Sequence, residues 1–132
     1  MRAYEDVSPI RVLLAAGDRR FRALAATLLS RRGYAVSVCA RTCDLTEVAR
    51  REAADVVVLD ASASLTAAAR DAARLSALEP PVGIVTVRGD AHPGLAALPV
   101  VSKWGPAEAL FAAIERVCPR PVCIEEATRV AS

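Results

Sequence analysis

Asp55-Val56-Val57-Val58-Leu59-Asp60 decides how this chain folds. A nearly continuous β-branched run closed by a carboxylate is what a central strand buried on both faces of a parallel sheet requires. Upstream, Ile10 to Ala15 is a similar apolar run that ends at Ala16-Gly17-Asp18. Beyond it, Phe21, Leu24, Ala25, Leu28 and Leu29 recur at helical spacing, with Arg19, Arg20, Arg22, Arg31 and Arg32 mainly on the other side. This is an amphipathic helix, capped by Asp18 and stopped at Gly33. Tyr34 to Val38 reads as the second strand, and Leu45, Val48 and Ala49 mark a short second helix started by Asp44 or Thr42.

Downstream of Asp60 a third helix is expected from about Ser64 to Leu78, with Leu65, Ala68, Ala72, Leu75 and Leu78 inward, until Pro80 and Pro81 end it. Val82 to Val87 makes the fourth strand and Pro99 to Ser102 a short fifth. Between them, Gly89, Pro93 and Gly94 limit any fourth helix to one or two turns. Pro106 opens a final helix whose inward residues are Ala109, Leu110, Ala113, Ile114 and Val117, ended by Pro119 and Pro121. Strands alternating with helices in this way predict an α/β fold: a doubly wound five-stranded parallel sheet in the order 2-1-3-4-5 with a shortened fourth helix. Residues 1–9 form an N-terminal extension, 10–118 the domain, and 119–132 a tail or linker.

The 132 residues suffice for one domain and are too few for two. Of these, 28 are Ala, so the apolar excess is mostly small side chains. The 17 basic residues comprise 16 Arg and a single Lys, Lys103. A net charge of +2 with scattered Arg provides no basic face for nucleic acid. No apolar run approaches the roughly 18 residues of a membrane span, and no signal-peptide layout opens the chain, so a cytoplasmic protein is expected. Cys39, Cys43, Cys118 and Cys123 are too few and too loosely spaced for a disulfide scaffold. The only His, His92, is far in sequence from both pairs, which disfavours zinc; free thiols are the expectation.

In doubly wound sheets, ligands and chemistry collect at the carboxyl ends of the strands. Ala16, Gly17, Asp18, Asp60, Thr86 and Lys103 all fall there, with Trp104 next to the last. From about Ile10 to Val117 the chain resembles the receiver domain of bacterial response regulators. Asp60 in VVVLD, Thr86 in GIVT and Lys103 in VVSK match, by order and strand context, that family's phosphate-accepting Asp, hydroxyl residue and Lys. The stretch Arg11–Leu24, RVLLAAGDRRFRAL, matches its first strand and helix without a gap and puts Ala16 and Gly17 where the family has an acidic pair. Asp18 falls one place later, as a helix cap.

The resemblance therefore implies a departure. Phosphoryl transfer to a carboxylate relies on Mg2+ held by hard oxygen ligands, and Mg2+ gives up its waters reluctantly. With the acidic pair missing, Asp60 is the one clear carboxylate ligand, so Mg2+ binding is expected to be weak or absent and no other cofactor is implied. Instead, an Asp60–Lys103 ion pair is expected, the two charges balancing one to one, with Thr86 as a hydrogen-bonding neighbour. Trp104 is expected to be a core or edge anchor, or to cover the pocket. Only 16 residues separate Thr86 from Lys103, fewer than receivers usually have, and no Tyr or Phe stands in the fifth strand to serve as the family's switch aromatic.

The expectation is an atypical receiver, not an enzyme, acting through protein contacts: as a homodimer through its final helix or the altered fourth-helix region, or with a histidine kinase or an output domain. No helix-turn-helix output domain fits after Val117. Alternatives are regulation by a small molecule at the strand ends, with Trp104 and His92 nearby, and a conventional phosphoacceptor. A flavodoxin-like cofactor protein is opposed by the turn after the first strand, which lacks a Gly- or Ser/Thr-rich phosphate cradle.

Overall fold

The β-branched run is the middle of the sheet. In a computed structural model, which describes residues 9–41, 43–89 and 100–119, it forms β3 (Val56–Asp60), buried at every position. Around it lie β1 (Arg11–Ala15), β2 (Ala35–Cys39), β4 (Gly83–Arg88) and β5 (Val100–Ser102), all parallel, in the order β2-β1-β3-β4-β5. The helices are α1 (Arg19–Arg32), α2 (Leu45–Arg51), α3 (Leu65–Ser76) and α4 (Ala107–Val117). The expected sheet and strand order are present; the expected fourth helix falls on residues 90–99, outside the described residues, as do Thr42, His92, Cys123 and nearly all of both terminal segments.

Side-chain alternation divides the core into two layers. Val12, Leu14, Val56, Val58, Val85 and Val87 pack against Phe21, Ala25 and Leu29 of α1 and Leu110 and Ile114 of α4. Leu13, Ala15, Val57 and Leu59 meet Leu45, Ala49, Ala72 and Leu75 of α2 and α3 on the other face. Each fully buried Leu contributes about 1.5–3 kcal/mol, so both faces are needed to order the chain.

Asp18 caps α1 by accepting from the Arg20 and Phe21 amides, and Gly33 ends it at φ 108°, a left-handed conformation suited to glycine. Asp44, the other half of the Asp44-or-Thr42 alternative, caps α2. Gly83 lets β4 approach α4: a Cβ there would lie 2.7 Å from Val117 Cγ2 and 2.8 Å from its carbonyl carbon.

Four local expectations are corrected. Pro106 is the residue before α4, not its first, because its ψ of 139° is extended. Ala109 is exposed and Phe111 is buried in its stead, since α4 turns its larger side chain to the sheet. Leu24, on the apolar stripe of α1, is 49% exposed, because it is Phe21, Ala25 and Leu29 that the helix turns into the core. α3 stops at Ser76, before the prolines, in a turn where the Leu78 amide donates to the Leu75 carbonyl.

Candidate functional site

Three elements deliver charge to one point at the carboxyl edge. Asp60 ends β3 and Lys103 follows β5; register pairs Asp60 with Val87 and Val87 with Val101, so both charged side chains emerge on the α1/α4 side. Asp18 enters from the start of α1. Lys103 Nζ lies 2.9 Å from Asp60 Oδ2 and 3.1 Å from Asp18 Oδ2. The Lys103 and Asp60 side chains are only 6% and 5% exposed, whereas Asp18 is 34% exposed.

The Asp60–Lys103 pair is thus in contact, but the one-to-one balance is corrected: Asp18 is both helix cap and second counter-ion. Its Oδ1 takes the α1 amides while Oδ2 faces the lysine. Thr86 does not join. Val85 and Val87 belong to the α1/α4 layer, so alternation sends Thr86 to the opposite face, where its fully buried Oγ1 has no hydrogen-bond partner among the described residues. Ala16 is buried, its carbonyl accepting from Arg22 at 2.7 Å, and Gly17 is exposed. Trp104 is not a core residue: it is 53% exposed and meets Phe21 edge to face at 5.6 Å. Lys103 Nζ sits 5.3 Å from the Phe21 ring centroid and 5.7 Å from that of Trp104, adding cation–π attraction to the cage.

Two contributors escape a reading of the sequence. Ser62 Oγ lies 3.4 Å from Lys103 Nζ and accepts from the Gly89 amide, while the Ser62 amide donates to Asp60 Oδ1 at 3.0 Å. Arg41 reaches the same residue from the backbone side: its Nε donates to the Asp60 carbonyl at 3.2 Å and its Nη1 to Asp71 at 2.7 Å. Position two after the strand-ending Asp is a signal for Ser62; Arg41 is hidden among sixteen arginines.

Burial alone would lower the Lys103 ammonium, but hydrogen bonds and charges from Asp60 and Asp18 outweigh it and hold the group above its ordinary 10.5. The Phe21 amide first, then Lys103, keeps Asp18 below the usual carboxylate range. Away from the site, burial and then Glu115 push the Tyr34 hydroxyl up to about 12. For Lys103 and Tyr34 the unfolded chain loses its proton first, so the folded state binds more protons above pH 10. Stability is therefore full below pH 10 and falls toward pH 12, whereas the Asp18 contribution is present above pH 3.8 and is lost as pH drops beneath it. Urea midpoints that stay level between about pH 8 and 11.5 would contradict this.

Among the described residues no group of three or more His, Cys, Asp or Glu is arranged to hold a metal. The two carboxylates that converge already share a cation. Nor, among them, is any helix long and apolar enough to cross a membrane.

No protein-family model matches the chain, and no curated protein does. Solved structures do. The chemotaxis protein CheY4 of Vibrio cholerae is 17% identical with a TM-score of 0.67, covering 83% of this chain and 99% of its own. A response regulator receiver protein from Sinorhizobium medicae is 19% identical at 0.65, with 85% and 96% covered. A Staphylococcus aureus DNA-binding response regulator of the LuxR family is 16% identical at 0.64, with 82% and 98% covered. The likeness is one of fold: this chain has the architecture of response regulator receiver domains.

Proposed function

We propose that this chain is an atypical receiver module of a bacterial signal-transduction or transcription regulator, cytoplasmic and not an enzyme, with weak or no Mg2+-dependent phosphorylation at Asp60. The observation that carries the reading is the Lys103 ammonium, 2.9 Å from Asp60 and 3.1 Å from Asp18. A divalent ion would have to displace a buried ammonium, and it would then find two carboxylates where a neighbouring carboxylate pair is replaced by Ala16 and Gly17. Without the metal, charge building on the phosphoryl oxygens has one cation to meet it, already engaged.

Signalling then runs through surfaces. A homodimer through α4 or the segment before β5, or engagement of a histidine kinase or output domain, is the expected mode. The small-molecule alternative has little room: the cavity bounded by Phe21, Leu28, Trp104 and Leu110 holds about 70 Å3, against roughly 300–1,000 Å3 for ligand pockets.

Intact-mass measurement after incubation with acetyl phosphate and Mg2+ tests the reading. The expected result is an unmodified chain, or a minor fraction carrying one phosphoryl group. Near-complete addition that disappears in Asp60→Asn would establish a conventional phosphoacceptor instead.

A further inference from the structure

The α2/α3 layer is left open at the amino edge of the sheet, the end opposite the charged site. Ala54, Leu78 and Val82 pack on that layer yet are only partly buried. With Ala53 and Pro81 they line a cleft of about 560 Å3, within the roughly 300–1,000 Å3 of pockets that enclose a bound group. Ala53 holds φ 54°, a left-handed conformation that favours glycine, so the wall keeps a methyl group where the backbone alone would have none. The chain itself arrives here. Gly83 lets α4 end beside the start of β4, and Pro119, exposed, is part of the cleft wall. Arg120-Pro121-Val122-Cys123-Ile124-Glu125-Glu126 follows in the sequence. Cys118 is extended, and Arg120, which also precedes a proline, is biased the same way. An extended run puts Val122 and Ile124 on one side, about 10 and 17 Å past Pro119, a reach of two to three strand spacings. The charges fall in matching order. From the segment before β4 to the end of α2 the cleft carries Glu79 and then Arg50; along the chain Arg120 comes first and the two glutamates last.

We infer that the cleft is a docking site for residues 120–126 of the same chain, with Val122 and Ile124 closing the α2/α3 layer, Arg120 beside Glu79, and Glu125 and Glu126 beside Arg50. Attachment at Pro119 makes the contact intramolecular, and the high effective concentration that follows favours the chain's own segment over a second copy or a small molecule at the same wall. The inference rests on the fold and is independent of whether Asp60 accepts phosphate.

The test is NOE spectroscopy of the full chain labelled with 13C. Ile124 is one of four isoleucines, and Ile124→Leu assigns its methyl signals. The expected result is cross-peaks from the Ile124 methyls to those of Leu78 and Val82. Ile124→Asp should shift the Ala54, Leu78 and Val82 signals and leave Phe21 and Val87, at the other edge, where they were, which also shows that the variant folds. Ile124 methyls without cross-peaks to the wall, or wall signals unmoved in a folded Ile124→Asp, would overturn the proposal. So would cross-peaks that run only between labelled and unlabelled chains in a mixed sample, the mark of a second copy, or a co-purifying small molecule, detected by native mass spectrometry, that contacts Leu78 and Val82 in place of Ile124.

Discussion

Replacing Lys103 with methionine lowers the unfolding free energy by about 3–5 kcal/mol, the range for removing one partner of a buried ion pair. Methionine keeps most of the length of the stem and removes the ammonium, so the loss reports the charge, its attraction to the Phe21 and Trp104 rings included. Asp60, 6% exposed and hydrogen-bonded through Oδ1 to the Ser62 amide, is left with an unneutralised carboxylate in a site water scarcely reaches. Asp18 loses the same partner at little cost, being far more exposed. Adding Asp60→Asn to Lys103→Met should recover more than half the loss, because the stranded charge goes with it; a double-mutant cycle isolates the coupling. Urea unfolding followed by circular dichroism is the appropriate measurement, since Trp104 fluorescence responds to the mutation itself. A loss below about 1 kcal/mol would place the pair with surface ion pairs and remove it as an anchor of the fold.

Leu59→Ala is expected to cost about 2–5 kcal/mol, toward the upper part of that range. The cost of truncating a core leucine depends on how far neighbours collapse into the space. Leu59 faces the α2/α3 layer, where Ala49 and Ala72 already supply much of the wall. Alanine has no rotamer to swing inward, so the cavity stays open. Val38→Ala, on β2 at 50% exposure, is the control and should stay within about 0.5 kcal/mol. A Leu59→Ala loss as small as the control's would mean the alanine-rich layer is loosely packed.

Strand order and both core layers were legible because their signals are local and redundant: VVVLD can only be central, and periodic leucines mark helix faces. The meeting of Asp60 and Lys103 was legible through order and strand context. Asp18 was half legible: its place before an amphipathic run reveals the cap, but nothing local indicates that its other oxygen meets a residue 85 positions on. Thr86 was misread because order puts it at the right edge while pleat parity, which depends on register with β3, puts its hydroxyl on the wrong face. Ala109 and Phe111 exchanged roles for a related reason. A small residue fits either side of a helix, so periodicity cannot choose between them.

One lysine among sixteen arginines has a stereochemical consequence. An ammonium carries three N–H bonds that diverge as a pyramid, and among the described residues Lys103 has three oxygens around it, on Asp60 and Ser62 at the end of β3 and on Asp18 at the start of α1. Its hydrogen-bonding valence is filled. A guanidinium spreads its donors in one plane and prefers a paired fork, so it could serve two of these oxygens well but not all three. At this position the chain departs from its own cation of habit because the demand is for a tripod.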